Sequence, residues 1–329
     1  MPKIVRFHET GGAEVLRIEE MPLAEPREGE VRLKVEAIGL NRAEVMFRQG
    51  QYLEAPRLPS RLGYEAAGIV DAVGSGVVGI KVGDRVSTIP SFSIGAYGVY
   101  GESAVVPAYA AVPYPATLSP VEGAAIWMQY LTAFGALIEF GRLHKGASVL
   151  ITAASSSVGL AAIQVARAAG ATAIAATRGS GKKPFLAAAG ADHVIATGEE
   201  DLVAGVMART AGKGVDMVFD PVGGPSLAVL ADAAASGATI FEYGALSPEP
   251  TPFPLFAALG KGLTVRGYTL FEIVREPELI ARGRQFVYNG LESGALKPVI
   301  DRTFPLEEIV AAHRYMESNQ QKGKIVVTV

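Results

Sequence analysis

The stretch ITAASSSVGLAAIQ, residues 151–164, spaces three small residues, Ala153, Ser156 and Gly159, between an apolar run SVLI and an amphipathic run GLAAIQVARAAG. Strand, tight turn and helix in that order bring backbone N–H groups and the positive end of a helix to one point, where a pyrophosphate can be held. Ser155, Ser156 and Ser157, followed by Val158, offer hydroxyls that can cap the helix or donate to phosphate oxygens. A capped helix without any ligand fits the same residues, so the decision passes to the next strand. ATAIAAT ends at Thr177, and a site that grips a bare ribose often carries an acid there, about twenty residues beyond the turn. This chain instead continues with Arg178, Ser180, Lys182 and Lys183. A cationic, hydroxyl-rich strand end suits a ribose 2′-phosphate, which makes NADPH the expected cofactor; the alternative is a solvated basic loop.

These residues need a parallel sheet behind them, and the surrounding pattern supplies one. SVLITAA, ATAIAAT, HVIAT and VDMVFD are short apolar runs separated by helical segments, at the spacing of βαβ units. Before them, EVRLKVEAIGL alternates with period two, and AAGIVDAVGSGV and KVGDRVSTI are apolar runs punctuated by glycine, the pattern of a strand-rich unit. After about residue 267 the pattern mixes again, with helices expected near 278–289 and over LEEIVAAHRYMES, then a final strand GKIVVTV. The expected division is a first domain from residues 1–125 and 268–329, enclosing a dinucleotide-binding domain at 126–267.

Composition narrows the function. With 329 residues, 49% of them hydrophobic and 19% charged, the chain suits two compact folded domains. A net charge of −3 argues against nucleic acid as a partner. The absence of cysteine excludes disulfides, thiol nucleophiles and thiolate metal sites. The opening MPKIVRFHETGGAEVLRIEE lacks the apolar core of a signal peptide, and the small-apolar stretches are broken by polar residues, so a cytoplasmic protein without membrane spans is expected. His8, His144, His193 and His313 do not cluster along the sequence, and His313 is read as a helix-face residue. The nucleophile-elbow pattern is absent around the serines.

The chain resembles the medium-chain dehydrogenase/reductase superfamily, and within it the zinc-independent quinone oxidoreductase and enone reductase branch. The resemblance runs the full length, through AIGLNRAEVMFRQGQY, LGYEAAGIVDAVGSGV, VGDRV, WMQYLTAFGAL, SVGLAAIQVARAAGA, GADHVI, FDPVGG and GKIVVTV. It implies an α/β protein with a GroES-like, strand-rich catalytic domain and a Rossmann domain with a doubly wound parallel sheet. It also implies a nicotinamide cleft between the domains and a homodimer formed through Rossmann edge strands, with residues 261–270 as the edge. The zinc enzymes of the superfamily carry cysteine and a Gly-His-Glu motif; here Gly63, Tyr64 and Glu65 stand at that motif, so no metal is expected. The usual glycine at the middle of the turn is Ser156. The resemblance carries Asn41, Tyr52 and Tyr130 onto the substrate side of the nicotinamide, with Glu44 in the same loop. On the cofactor side it implies Thr132, Asp220, Val222, Tyr243, Gly244 and Lys324. The implied activity is NADPH-dependent hydride transfer to a small quinone or α,β-unsaturated carbonyl compound. The alternatives are an alcohol dehydrogenase or ketone reductase working without metal, and a structural protein that binds NADPH without turnover. Residues 91–100, rich in aromatic residues and glycine, suit either a lid over a flat ligand or a surface loop.

Overall fold

The computed structural model describes residues 1–329. The chain forms two units, Met1–Met128 with Pro298–Val329, and Gln129–Lys297.

The first unit is built on a seven-stranded sheet in the order Ile300–Pro305, Lys324–Thr328, Glu30–Gly39, Glu65–Val73, Arg85–Thr88 and Ala111–Pro113, with Ser103–Pro107 also pairing to Glu30–Gly39. The long strand Glu30–Gly39 organises it. Its apolar positions Val31, Leu33, Val35 and Ala37 are buried, and its two halves take different partners, so the sheet folds over on itself. The last strand of the chain lies between the segment just before it and this early strand, pairing Val326 with Gly39. Gly39 is required there because a Cβ would stand 1.9 Å from the Ala124 carbonyl oxygen and 2.9 Å from Cε of Lys324.

The second unit holds a six-stranded parallel sheet in the order His193–Ala196, Thr172–Thr177, Ser148–Ile151, Val215–Asp220, Ala234–Glu242 and Thr264–Gly267. Numbered by their sequence within the unit, this is 3-2-1-4-5-6, the doubly wound order of a Rossmann fold. Strands covered on both faces should be apolar without alternation, and Leu150, Ile174, Ile195, Val218 and Ile240 form one buried cluster with Val206, Leu227 and Leu230 from the helices.

The boundary differs from the sequence expectation. Residues 268–297 belong to the parallel-sheet unit, not to the first. Phe286 of the helix Pro277–Ser293 packs on Phe134 with ring centroids 5.1 Å apart, and the Tyr268 hydroxyl donates to the Leu131 carbonyl at 3.4 Å. That apolar contact, invisible in a local pattern, retains the segment. The helical stretch Pro120–Phe140 is long and apolar enough to cross a bilayer by composition, and is largely buried within the protein.

Candidate functional site

The parallel sheet reverses its winding at Ser148–Ile151, whose two neighbours, Thr172–Thr177 and Val215–Asp220, lead the chain in opposite directions. Crevices at such a switch point open beyond the carboxyl ends of the strands. The turn that follows occupies this position. Ala153 adopts the left-handed conformation at φ 43°, and Ser156 caps the helix Ser157–Ala168, its Oγ accepting the Gly159 N–H at 3.0 Å. The serine in place of the usual glycine therefore holds its hydroxyl against the helix start. Gly159 is packed so close to the turn that a Cβ would stand 2.6 Å from the Ala154 carbonyl oxygen. Ser157 and Val158 form the first helical positions, where N–H groups have no intrahelical acceptor and point outward from the positive end of the helix.

The basic strand end is more divided than the sequence suggested. Arg178 is exposed just beyond Thr177, whose own carbonyl accepts the Thr197 N–H at 2.8 Å. Lys182 donates to Ser155 Oγ at 2.9 Å and so reaches back to the turn. Acids absent from the local sequence arrive from another segment: Glu200 pairs with Lys183 at 2.5 Å, and Glu199 accepts the Ser180 N–H at 2.9 Å, which holds its carboxyl below the usual range. Arg178 lies exposed at the strand end, and Lys182 reaches the turn through Ser155.

The other residues expected on the cofactor side are largely inward. Asp220 is fully buried, accepting the Thr152 hydroxyl and, at 2.7 Å, the Gly223 N–H. Its carboxylate ties two loops together and has no exposed surface for a ligand, which corrects the direct contact expected of it. Thr132 is buried on the helix Trp127–Ala133. Tyr243 stacks on Phe219 with centroids 3.9 Å apart, and its hydroxyl is buried without a partner. Val222 is half-buried, and its carbonyl accepts the Ser247 N–H at 2.9 Å. Gly244 is exposed and passes within 2.8 Å, measured from a built Cβ, of the Pro221 carbonyl oxygen. Tyr130 also points inward: it is wholly buried, and its hydroxyl donates to Gln164 Oε1 at 2.9 Å, while Gln164 bonds both N and O of Lys297. Its phenol is thus engaged inside its own unit, contrary to a substrate-facing role.

The first unit gathers a second set of residues. Asn41 caps the helix Arg42–Arg48 and exchanges bonds with Glu44, its N–H donating to Oε2 at 2.6 Å. Its amide nitrogen faces Gly39 O, Glu44 Oε1 and Glu65 Oε2 at 3.2–3.3 Å, and its Oδ1 accepts Lys324 Nζ at 2.6 Å. Lys324 in turn lies 2.5 Å from Glu65 Oε2, with both side chains buried. Glu65 Oε1 accepts the N–H groups of Trp127 and Met128 at 3.0 and 2.9 Å. Burial lifts the Glu44 carboxyl to about 7, against the opposing pull of Lys324. Asn41 and Lys324 were expected to meet substrate and cofactor; they instead form the interior of a satisfied polar network, where an unmade bond would be costly. Glu65 is the member that sequence reasoning passed over, although its place beside Tyr64 in the altered metal motif was the available signal.

Above this network lies an aromatic wall. Tyr52 is half-buried against the buried Tyr64, ring centroids 6.4 Å apart; Tyr64 meets Phe92 at 5.8 Å, and Phe92 meets Tyr97 at 6.1 Å. Burial lifts the Tyr52 phenol to about 12, so it remains protonated at neutral pH, and lifts Tyr64 further. Glu54 fastens the two flanking loops, accepting Ser93 Oγ at 2.6 Å and the Gly95 N–H at 3.2 Å. His313 lies elsewhere, buried on the inner side of the helix Ile309–Glu317 against Tyr100.

Comparisons with known proteins agree with this architecture. Residues 27–116 match the alcohol dehydrogenase GroES-like domain model, and residues 189–327 match the model described as zinc-binding dehydrogenase. The chain is 32% identical over 330 residues to the quinone oxidoreductase of Lama guanicoe, covering 99% of this chain and 97% of that one. Among solved structures, Escherichia coli quinone oxidoreductase complexed with NADPH superposes with a TM-score of 0.93 at 32% identity, over 99% of this chain and all of that one. An NAD-dependent alcohol dehydrogenase superposes with a TM-score of 0.91 at 32% identity, over 99% of both chains.

Proposed function

The chain belongs to the medium-chain dehydrogenase/reductase superfamily, in its quinone oxidoreductase branch, and we propose that it is a zinc-independent oxidoreductase passing hydride from NADPH to a quinone or an α,β-unsaturated carbonyl compound. The observation that carries this reading is the turn at residues 153–159, with Lys182 bonded to it and Arg178 exposed just after the adjacent strand. The residues present fit the dinucleotide. Ser157 and Val158 offer helix-start N–H groups to a pyrophosphate, Gly159 lets the helix approach, and Lys182 stands one hydroxyl away from the turn. Arg178 supplies a guanidinium, the side chain best shaped to hold a 2′-phosphate through two bonds.

When bound, NADPH supplies a hydride from nicotinamide C4. The protein's share is orientation and a proton. Tyr52, half-buried beside Tyr64 and held protonated by burial, carries the proton offered to the oxygen of the acceptor. The rings of Tyr52, Tyr64 and Phe92 offer an apolar face to a planar acceptor. Glu44, held in turn by Asn41, accepts the Tyr64 N–H at 3.2 Å and so fixes that ring's backbone. Independence from zinc is supported by the absence of cysteine and by Lys324, whose ammonium already neutralises Glu65.

The test is oxidation of NADPH against NADH with a simple quinone and a simple enone, on the intact protein and on Arg178→Ala. NADPH should be preferred at least tenfold, about 1.4 kcal/mol, and the variant should lose that preference. Oxidation of neither cofactor with either acceptor refutes the reading. The likeness to an NAD-dependent alcohol dehydrogenase favours a second reading, which requires NAD to be reduced by an alcohol in the same preparation.

A further inference from the structure

Asp220 and Glu242 are register partners at the carboxyl ends of adjacent parallel strands, Val215–Asp220 and Ala234–Glu242. Pairing in this phase brings both carboxyl groups to one face of the sheet. The fully buried Asp220 accepts from Thr152 and from Gly223, and Glu242 Oε2 lies beside that same glycine, 3.7 Å from a Cβ built on it. Glu242 Oε1 is buried with no partner. No cation compensates the pair: Arg266 on the neighbouring strand Thr264–Gly267 is engaged by Glu272 at 2.6 Å and lies over the Phe140 ring. Tyr243, the other titratable side chain nearby, has its hydroxyl buried and is held neutral by burial and by both acids. Two carboxylates so placed cannot both ionise without cost, and one must keep a proton. Burial and the charge of Asp220 lift the Glu242 carboxyl to about 8.

The pair is joined to the dinucleotide turn through Thr152, the residue immediately before Ala153. We propose that Asp220 and Glu242 hold one proton between them and act as a positioning pair for the turn at residues 153–159, so that an anionic dinucleotide binds tightly only while that proton is present. The inference rests on the reading of that turn as the cofactor site. Loss of the proton adds a second buried negative charge to the pair bonded to the loop that must receive a pyrophosphate, and the two charges repel it.

The experiment measures the Kd of NADPH from pH 6.5 to 9.5 on the full chain and on Glu242→Gln, together with the infrared C=O stretch of protonated carboxyl groups in the cofactor-free protein. In the unsubstituted protein the Kd should be level to about pH 8 and then weaken by up to tenfold per pH unit, as for one linked proton. The carboxyl band should fade over the same range. Glu242→Gln should bind NADPH with a level Kd and lack the part of the band that fades near pH 8, keeping only the part from Glu44 that fades near pH 7. A Kd that is level throughout in the unsubstituted protein, or the same slope in both proteins, overturns the positioning role while leaving the turn as the cofactor site. A carboxyl band unchanged by Glu242→Gln overturns the shared proton. Failure of NADPH to bind at any pH, with the band intact, overturns the cofactor reading and the positioning role together.

Discussion

Replacing Lys324 with methionine removes the only cation from a buried network that contains two carboxyl side chains, Glu44 and Glu65. Methionine nearly preserves the volume, so the loss is electrostatic. Two charge-assisted bonds disappear, to Asn41 Oδ1 at 2.6 Å and Glu65 Oε2 at 2.5 Å, and the two acids are left facing each other through Asn41. Breaking a buried pair by deleting one partner costs about 3–5 kcal/mol, because the remaining charge is desolvated without compensation. A convenient reporter lies in the network itself. Trp127, the sole tryptophan, donates its backbone N–H to Glu65 and its indole N–H to Ser87 Oγ at 2.8 Å. Urea unfolding followed by its fluorescence therefore reads the first unit, and the transition of Lys324→Met should move by an amount equivalent to about 4 kcal/mol. Adding Glu65→Gln removes the orphaned charge while an amide oxygen can still accept from Trp127 and Met128, and should restore about 2 kcal/mol. A single variant losing less than about 1 kcal/mol, or a double variant no more stable than the single, would refute the view that the pair's charges, not the packing of the lysine stem, hold this site.

His313 gives a pH dependence of defined sign. Burial and the charges of Arg48 and Arg42 depress its folded pKa from 6.5 to about 3, so the unfolded chain binds the extra proton between these values. The stability it contributes is complete above pH 6.5 and is lost as the pH falls toward 3, an effect on the order of 4 kcal/mol in acid unfolding, which His313→Phe should flatten. The outer edge of the parallel sheet, Thr264–Gly267, adjoins a helix with Phe256 and Leu259 exposed at 86% and 71%, which is where the homodimer implied by the family resemblance is to be tested. Light scattering should give twice the chain mass, falling to one chain mass in Phe256→Asp; a monomer before substitution would refute that homodimer.

The parallel-sheet unit was largely legible because its determinants are local. SVLI, the turn and GLAAIQVARAAG are contiguous, and a cap such as Ser156 acts only three residues away. The strand-rich unit was legible as alternation in EVRLKVEAIGL, whose Val31, Leu33, Val35 and Ala37 are all buried while Lys34 is exposed. What escaped depended on partners distant in sequence. Lys324 and Glu65 are separated by 259 positions, and nothing in GKIVVTV announces that its lysine turns inward. An asparagine beside a helix can serve as a ligand or as a cap, and only the placement of Glu44, Glu65 and Lys324 around Asn41 puts it inside a polar network. Glu199 and Glu200 come to the basic strand end across a βα connection, so the local absence of acid misrepresented its charge. Residues 268–297 joined the second unit through aromatic packing on residues 131–134, which leaves no periodic trace.

The insertion of the last strand between Ile300–Pro305 and Glu30–Gly39 sets an order on synthesis. The parallel-sheet unit, contiguous from Gln129 to Lys297, has all its strands once that segment leaves the ribosome. The first unit is completed after the second: its sheet lacks an inner strand, and Glu65 its counter-charge, until Lys324 has been added. Nascent chains stalled before residue 324 should therefore carry a finished second unit and an unfinished first one, exposing a strand edge to chaperones or to a neighbouring chain. Loss of the strand Lys324–Thr328 would remove five residues yet leave the first unit without the cation and the inner strand that close it.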